Sequence, residues 1–279
     1  MSSFSADWLA LREPADHRSV NAQVRAAFVE DFAGQERVSI MDIGCGTGSN
    51  LRSLAPHLGP RQVWRLVDYD AELLNAARET LSRWADHAQD RNGSLMLSMR
   101  GQVIEVAFLC ADLATGLEQA LDHDCDAVTA AAFFDLVSQD WIAQFCAALA
   151  ARRRRLYTVL TYDGREIWTP PSPAEAAMLE AFHAHQAGDK GFGAAAGSRA
   201  TQALCEDFGA HGYAVTTGKS PWLLGQADRA LMQELARGSA CAVAETGKLS
   251  AADITAWLAA RSHAEHCEIG HIDLYARAR

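Results

Sequence analysis

The sequence lacks features that mark several classes of protein. It has no uninterrupted run of the roughly eighteen apolar residues that a membrane-spanning helix needs. Residues 1–7 lack the basic stretch followed by an apolar stretch that is typical of a secretion signal. Seven cysteines are present, an odd number, and no two of them form a Cys-x-x-Cys pair. We therefore expect reduced thiols in a cytoplasmic protein, with no zinc site and no membrane partner.

Positive charge is also scarce relative to negative charge. The formal net charge is −10 at pH 7. A nucleic-acid backbone is bound through clustered Lys and Arg, so this balance disfavours nucleic acid as the principal partner. The one basic cluster, residues 152–155, follows a predicted amphipathic helix, where cations complement the helix dipole. The expected partner is a small molecule, and the oligomeric state stays open.

The most informative feature that is present is a glycine-rich turn. An apolar, strand-like run over residues 39–43 leads into Gly44, Gly46 and Gly48, and an amphipathic segment follows over residues 51–58. Strand, tight turn and helix start place backbone N–H groups against a ligand in doubly wound folds. The nicotinamide dinucleotide fingerprint requires its third glycine one place later, where Ser49 stands. The turn therefore indicates a nucleoside ligand of another kind.

Three acidic residues accompany three successive predicted strands. Asp42 precedes the first glycine, Asp68 ends the apolar run 63–67, and Asp112 follows the run 103–110. An acid about twenty residues beyond such a turn lies where it can bind the ribose hydroxyls of a nucleoside. The glycine turn and the three acids together form a far more specific signal than the turn alone.

These motifs resemble those of a known enzyme family. Residues 41–48 resemble the first motif of the class I (Rossmann-like) S-adenosylmethionine-dependent methyltransferases, and residues 111–113 resemble the segment that carries the adenine-contacting acid of that family. The resemblance covers residues 38–165 and implies S-adenosyl-L-methionine as cofactor, with S-adenosyl-L-homocysteine as product. The cofactor-binding residues that it implies are Asp42, Gly44, Cys45, Gly46, Gly48, Asn50, Asp68, Tyr69, Asp112, Leu113 and Ala130.

The resemblance also implies a role for several of these residues. The three glycines approach the methionine and ribose portions, and Asp68 binds the ribose hydroxyls. Asp112 contacts the adenine amine, while Tyr69 and Leu113 pack on the adenine faces. Asp42 either orders the turn or contacts the methionine amine.

Strands alternate with helices five times up to residue 165, and right-handed crossovers then require a parallel sheet. We predict an α/β fold with a doubly wound, mostly parallel seven-stranded sheet and helices on both faces. Residues 1–37 form an N-terminal helical lid segment, 38–165 the cofactor-binding core, and 166–279 the C-terminal part of the same domain. Helical insertions on the substrate side are expected at 170–200 and 225–265.

Three local predictions follow from the pattern within this arrangement. Glu13 and Pro14 are expected to break the N-terminal helix. Apolar residues at helical spacing predict a helix over 71–89, and a strand is predicted over 155–161.

The segment after the fourth strand is the first place to look for substrate-binding residues. Residues 129–137 lack the Asn/Asp-Pro-Pro-Tyr sequence of methylases that act on the exocyclic amines of bases. Phe133 and Asp135 are our candidates for contacting substrate, and Asp135 is also a candidate for catalysis. Asp135 could equally cap the helix that begins near Ser138.

A second group of candidates lies after the fifth strand, at the carboxyl edge of the sheet. His183, Lys190, Phe192 and Arg199 are predicted to bind substrate, and His183 and Tyr162 are candidates for catalysis. The alternative is a solvated helix end, since a histidine is more often structural than catalytic.

Three residues near the N-terminus and two on the last strand complete the set. Trp8, Arg12 and Arg18 could form a lid in which an arginine meets the carboxylate of the cofactor. The alternative is that these three residues serve only in packing and as surface charges. His271 and Asp273 alternate with apolar neighbours on the last strand, and we interpret them as structural.

The function expected from these features is methyl transfer to an O, N or S atom of a small polar metabolite. Such a transfer is an in-line displacement that depends mainly on positioning, and a general base helps if the acceptor carries a proton. Two alternatives stay open: a methyltransferase acting on a protein or RNA group, and a nucleotide-binding protein without turnover.

Overall fold

The computed structural model describes residues 4–279, and a mixed sheet of ten strands runs through this part of the chain. The strands are β1 (Arg37–Ile43), β2 (Arg61–Asp68), β3 (His87–Arg91), β4 (Ser94–Met99), β5 (Gln102–Cys110), β6 (Ala127–Ala131), β7 (Arg155–Thr169), β8 (Tyr213–Lys219), β9 (Trp222–Leu224) and β10 (His266–Ala278). They are arranged in the order β3-β4-β5-β2-β1-β6-β7-β10-β8, and β9 pairs with β10.

The centre of this sheet is parallel. Strands β5, β2, β1, β6 and β7 are parallel to one another, whereas β10 is antiparallel to both β7 and β8. Successive strands run outward from β1 in one direction and then, from β6, in the other. In open α/β sheets a ligand binds outside the carboxyl ends of the strands at such a switch point. The glycine turn after β1 lies there.

Helices cover both faces of the sheet. They are α1 (Ala6–Ser19), α2 (Ala22–Glu30), α3 (Ser49–Leu54), α4 (Ala71–Trp84), α5 (Leu113–Leu121), α6 (Gln139–Ala151), α7 (Glu175–Gln186), α8 (Ala200–Ala210), α9 (Arg229–Thr246) and α10 (Ala251–Arg261). Successive strand residues point to opposite faces, so Ile40 enters one buried cluster and Met41 enters the other. The predicted doubly wound fold is confirmed. Within residues 4–279, every helix is too short or too polar to span a bilayer.

The N-terminal helix differs from the prediction at Pro14. Helix α1 continues through Pro14 to Ser19, and Asn21 caps the next helix by accepting hydrogen bonds from the N–H groups of Gln23 and Val24. An ion pair between Arg12 and Asp16 spans the proline and supports the helical turn around it. Residues 1–3 of the predicted 1–37 segment lie outside the described residues.

Strand pairing accounts for the other differences. Helix α4 ends at Trp84 rather than near 89, because residues 87–91 pair with β4 as an added edge strand. Strand β7 extends to Thr169 rather than ending at 161, because β10 pairs with it along that length. The edge strands β3 and β4 and the short strand β9 make the sheet ten-stranded rather than seven-stranded.

Candidate active site

The turn between β1 and α3 has the backbone conformation that its glycines allow. Gly44, Gly46 and Gly48 have φ angles of 59°, 51° and 75°, in the left-handed region that side chains with a Cβ rarely adopt. A Cβ at Gly44 would lie 2.6 Å from the ring of Phe133, and one at Gly46 would lie 2.9 Å from Leu9. The turn is therefore a cradle that larger residues would fill.

Asp42 is buried beneath this cradle with one oxygen engaged and one without a partner. Its Oδ1 accepts hydrogen bonds from Asn50 Nδ2 and Thr129 Oγ1, both at 2.7 Å. For Oδ2, residues 4–279 provide no hydrogen-bond partner. Burial raises the pKa of Asp42 to about 7, against the opposing effect of these two bonds. The two roles predicted for Asp42 are thus compatible, since one oxygen orders the turn and the other can accept a hydrogen bond from a ligand.

Asp68 connects the end of β2 to the same turn. Its Oδ2 accepts the N–H of Gly46 at 2.8 Å, and its Oδ1 accepts the N–H of Asp70 at 3.1 Å. Burial raises the pKa of this carboxyl as well. Each oxygen keeps a lone pair for a second donor, so Asp68 can hold the turn and still bind a pair of ribose hydroxyls.

Asp112 lies after β5 and caps helix α5. Its carboxylate accepts the N–H of Ala114 at 2.9 Å and the Oγ1–H of Thr115 at 3.3 Å. Tyr69, which is 41% exposed, and the buried Leu113 lie on the wall of the same cavity as Asp112. This arrangement can take a planar base between side chains.

One cavity brings most of the predicted cofactor residues together. Those that line it are Asp42, Gly44, Cys45, Gly46, Asn50, Asp68, Tyr69, Asp112 and Leu113. Gly48 is the residue before α3 and shapes the turn without lining the cavity. Ala130 is fully buried within β6, and its neighbours Ala131 and Ala132 line the cavity in its place.

These residues fit a nucleoside with a cationic amino-acid tail. The unpartnered Oδ2 of Asp42 offers a buried negative charge for an ammonium group, and the left-handed glycines leave room beside it. Asp68 and Asp112 supply hydrogen-bond acceptors at the ends of the next two strands. This donor and acceptor set corresponds to the one that the resemblance implies.

Helix α1 covers the cavity and is fixed to α3. Nε2 of His17 lies 3.0 Å from the carbonyl oxygen of Ser49 and 2.9 Å from its Oγ. Glu13 forms an ion pair with Arg52, whose Nη1 also donates to the carbonyl of Thr47 at 2.7 Å. The N-terminal segment is therefore built into the site as its cover.

The lid prediction is supported for Arg12 but not for Arg18. Arg12 lines the cavity, and its partner Asp16 lines it too. Arg18 instead pairs with Asp228 at 2.7 Å, and its side chain is 42% exposed. Trp8 is partly buried against the apolar core. In the sequence, Arg12 and Asp16 stand four residues apart, which predicts a pair on one face of a helix. This spacing does not show whether that face is turned to solvent or to a cavity.

Phe133, Lys190 and Phe192 line the cavity, and the ring of Phe133 lies against Gly44 of the turn. Their role in binding substrate stays a prediction. The rings of Phe133 and Phe192 are 5.9 Å apart. Arg199 is exposed at the start of α8 and does not line the cavity, because the 3₁₀ turn at residues 197–199 faces its side chain to solvent.

Asp135 is buried next to this side of the cavity. Gln186 Nε2 donates to its Oδ2 at 3.3 Å, and its Oδ1 has no hydrogen-bond partner within residues 4–279. Burial raises its pKa to about 6. The alternative role as a helix cap is wrong, because the Oγ of Ser138 accepts the N–H of Trp141 and caps α6.

Tyr162 and His183 form a pair close to Asp135 without reaching the cavity wall. The Tyr162 hydroxyl and His183 Nε2 are 3.0 Å apart. Burial lowers the pKa of His183 and raises that of Tyr162. Neither side chain lines the cavity, so a direct catalytic role for either one stays a prediction.

Comparisons with known proteins agree with this geometry. Residues 40–154 match a family model described as a methyltransferase domain. A search of curated proteins found no match. Among solved structures, the YcgJ protein from Bacillus subtilis has a TM-score of 0.51 at 11% identity, covering 93% of this chain and 99% of that chain.

Two further structures share the fold at similarly low identity. A putative methyltransferase from Bacillus halodurans has a TM-score of 0.51 at 10% identity, with 91% of this chain and 97% of that chain covered. The cyclopropane synthase MmaA2 from Mycobacterium tuberculosis has a TM-score of 0.50 at 12% identity, with 98% of this chain and 94% of that chain covered. With the glycine cradle and its acids, the match over residues 40–154 identifies this part of the chain as a methyltransferase domain of the class I S-adenosylmethionine-dependent type, with S-adenosylmethionine as its cofactor.

Proposed function

We propose that this methyltransferase acts on an O, N or S atom of a small polar metabolite. The observation that carries the proposal is the cover that α1 forms over the cavity, with Glu13 paired to Arg52 and His17 bonded to Ser49. A protein or RNA strand needs an open groove, whereas a covered cavity admits a small molecule. The net charge of −10 also disfavours RNA.

The residues of the chain would act mainly by positioning. Bound S-adenosylmethionine supplies a methyl group on a positively charged sulfur, and its transfer leaves S-adenosylhomocysteine. Phe133 and Phe192 form an apolar wall that excludes water from the acceptor side. Asp135, with its pKa of about 6, is suited to accept the proton that an O–H, N–H or S–H acceptor loses.

We also propose a cytoplasmic location. The seven cysteines are all free thiols in the structure. Free thiols are typical of proteins that work in a reducing compartment.

Calorimetry on the full chain tests the cofactor site. We expect S-adenosylhomocysteine and S-adenosylmethionine to bind and NAD not to bind. Asp68→Ala should weaken S-adenosylhomocysteine binding by about 1.5–3 kcal/mol, as expected when a charged hydrogen-bond partner is lost. Glu72→Ala, an exposed acid on α4, is the matched control and should bind like the wild type. Unchanged affinity in Asp68→Ala would show that this carboxylate does not contact the ribose.

An acceptor screen tests the substrate class. Release of S-adenosylhomocysteine is followed with a set of small hydroxyl, amine and thiol compounds, and in parallel with unstructured RNA and with a mixed peptide library. We expect turnover only with small molecules. Turnover with RNA or peptide alone would replace the proposal with the macromolecular alternative.

A further inference from the structure

Two buried polar atoms lie just beyond the wall of the cavity without a protein partner. They are Oδ1 of Asp135 and Nδ1 of His271, and neither finds a hydrogen-bond partner in the described part of the chain. The two side chains are 7% and 6% exposed. Leaving such a group unsatisfied destabilises the folded state, and most buried polar groups in native proteins have partners. Two buried polar atoms without partners in one region therefore indicate that a bound ligand supplies the missing hydrogen bonds.

Both atoms belong to side chains of a buried cluster behind the cavity wall, which we call the acceptor chamber: Arg12, Asp135, Tyr162, Trp222 and His271, of which Arg12 also lines the cavity. The Trp222 ring lies 5.2 Å from the His271 ring, and the Arg12 guanidinium lies 5.0 Å from the Trp222 ring. The Tyr162 ring lies 6.4 Å from His271. The chamber thus joins the first helix to the middle of β7 and β10, where Tyr162 and His271 are paired, and to the start of β9.

The charge of Arg12 acts on both groups that lack a partner. Burial raises the pKa of Asp135, and the positive charge of Arg12 and the backbone N–H of Tyr162 oppose this rise. Burial lowers the pKa of His271 and the same Arg12 charge lowers it further, whereas hydrogen bonding to the backbone of Ile269 and Ser220 opposes this fall. A single guanidinium is therefore close enough to influence both unpartnered groups.

Arg12 connects the chamber to the cofactor cavity, whose wall it lines. Its Nε and Nη2 donate to the two oxygens of Asp16 at 2.9 and 3.2 Å. Its Nη1 has no hydrogen-bond partner among residues 4–279, so two N–H donors are left for a ligand. Trp222 Nε1 donates to Asp16 at 3.0 Å and fixes this carboxylate, and with it the guanidinium.

The charges along the cavity indicate what such a ligand carries. Carboxylates from Asp42, Asp68 and Asp112 lie around the turn and are assigned to the cofactor. Two cations, Arg12 and Lys190, also line the wall. The sequence predicts Lys190 to bind substrate and leaves Arg12 open to the cofactor carboxylate. A guanidinium with free donors favours a carboxylate or a phosphate.

We propose that the acceptor chamber binds the methyl acceptor, and that this acceptor is a small molecule carrying a carboxylate or phosphate next to a hydroxyl or amino group. The acidic group meets Nη1 of Arg12, the hydroxyl or amino group donates to Oδ1 of Asp135, and Nδ1 of His271 makes a further hydrogen bond. The inference rests on the proposed function, because it names the substrate class of the same site.

The experiment uses the full chain saturated with S-adenosylhomocysteine and a set of defined probes. The probes are 4-hydroxybenzoate, 3-hydroxybutyrate and 3-phosphoglycerate, with the methyl esters of the first two as uncharged counterparts. Binding is detected by saturation-transfer NMR and quantified by calorimetry. We expect at least one acidic probe to bind, and the ester of a hydroxy acid that binds to bind about tenfold more weakly, a difference of about 1.4 kcal/mol.

Three substitutions test the chamber directly: Arg12→Met, Asp135→Asn and His271→Gln. Each should weaken the acidic probe about tenfold and leave the affinity for S-adenosylhomocysteine within about twofold. Matched controls are Arg18→Met on the same helix, Asp140→Asn on α6 and His185→Gln on α7, which lie off the cavity. Thermal unfolding checks that each variant is folded, and Arg12→Lys replaces Arg12→Met if the latter is not.

Four results would overturn the inference. The first is tenfold weaker binding of S-adenosylhomocysteine in the Arg12 variant, which would assign the guanidinium to the cofactor carboxylate. The second is equal affinity for the acids and their esters, and the third is equal affinity of the variants and the wild type for the acidic probe. The fourth is that none of the probes binds. Failure of S-adenosylhomocysteine to bind the wild type is distinct, because it removes the proposed function itself.

Discussion

At the scale of single residues, the protonation state of Asp42 affects folding stability and ligand binding in opposite ways. Burial raises its pKa from 3.8 to about 7, a shift that corresponds to roughly 4 kcal/mol. Since the folded-state pKa is the higher one, the stabilising contribution of the protonated form is complete below about pH 4 and is lost as the pH rises through 7. Above pH 7 the carboxylate is charged with Oδ2 unpaired, which is the form that a cationic ligand group requires.

Cofactor affinity should therefore depend on pH through Asp42. We expect the affinity for S-adenosylhomocysteine to fall by roughly tenfold or more between pH 7.5 and pH 5.5, because protonation removes the charge that its ammonium group meets. Calorimetry at both pH values measures this. Asp42→Asn should bind more weakly at pH 7.5 and show a much flatter profile. An unchanged profile in that variant would place the ammonium group elsewhere.

The residues that could be predicted are those whose role is fixed by local sequence. The three glycines and the three acids stand at set distances within successive strand–helix units, so their convergence at one sheet edge follows from topology. The acceptor chamber could not be predicted in this way. Arg12, Asp135 and His271 are far apart in the chain, and His271 alternates with apolar residues as a structural residue would. Its unpartnered Nδ1 is visible only after folding.

At the scale of secondary structure elements, α1 is the part of the chain that distinguishes a covered cavity from an open one. It is held by Arg52, whose side chain is 4% exposed and bonds both Glu13 and the Thr47 carbonyl. Arg52 therefore ties the cover to the cofactor turn with one side chain.

Arg52→Met should loosen that connection. We expect the free energy of unfolding to fall by about 1.5–3 kcal/mol, because charge-assisted hydrogen bonds are lost and the Thr47 carbonyl loses its donor. S-adenosylhomocysteine should also dissociate faster. Denaturant unfolding and stopped-flow release measure the two effects.

The matched control for this prediction is Arg83→Met. Arg83 pairs with Glu79 at 3.9 Å, and both side chains are more than 70% exposed. Such a pair contributes little, so unfolding and release should match those of the wild type. Unaltered dissociation in Arg52→Met would mean that α1 does not gate the cofactor.

The end of β6 and an internal position of β7 are shaped by two residues other than glycine with positive φ. Ala132 and Leu160 have φ angles of 50° and 59°, and both line the cavity. Each such conformation costs on the order of 1–2 kcal/mol. The N–H of Leu160 donates to buried Asp273 at 2.8 Å, and Asp273 also accepts from Ser220 and Asn21. Asp273 is thus structural, as interpreted from the sequence, and it fixes the cavity wall.

Long periodic elements could be predicted, whereas their ends and the edge strands could not. Helix α6 and strand β1 agree with the sequence pattern closely because each buries a continuous apolar face. Strand β3 is exposed at all five positions, so its sequence has no alternating apolar pattern that predicts a strand. It exists because its backbone pairs with β4. Pro14 within α1 shows the same dominance of tertiary contacts over local preference.

At the scale of the whole molecule, buried ionisable groups make stability depend on pH. Burial raises the pKa of Asp42 to about 7 and those of Asp135 and Asp273 to about 6. It lowers that of His271 to about 3. The aspartates favour the folded state at low pH, and their contributions are lost as the pH rises through 6 to 7. His271 acts in the opposite sense, because its contribution is present above 6.5 and is lost as the pH falls.

Among these four groups, the three aspartates outweigh the histidine, so stability decreases with rising pH. We expect the free energy of unfolding of the cofactor-free protein to fall by about 2 kcal/mol between pH 5.5 and pH 8. Urea unfolding at several pH values measures it. Asp42→Asn should remove most of the slope, and a slope of the opposite sign in the wild type would contradict the account.

We expect the glycine turn and the acids of three successive strands to hold S-adenosylmethionine beneath α1. A crystal structure of the chain with S-adenosylhomocysteine measures this arrangement. We expect the ribose hydroxyls on Asp68, the base beside Asp112 and Leu113, and the ammonium group on Oδ2 of Asp42. A ligand bound elsewhere, with the turn empty and Asp42 still unpaired, would contradict it.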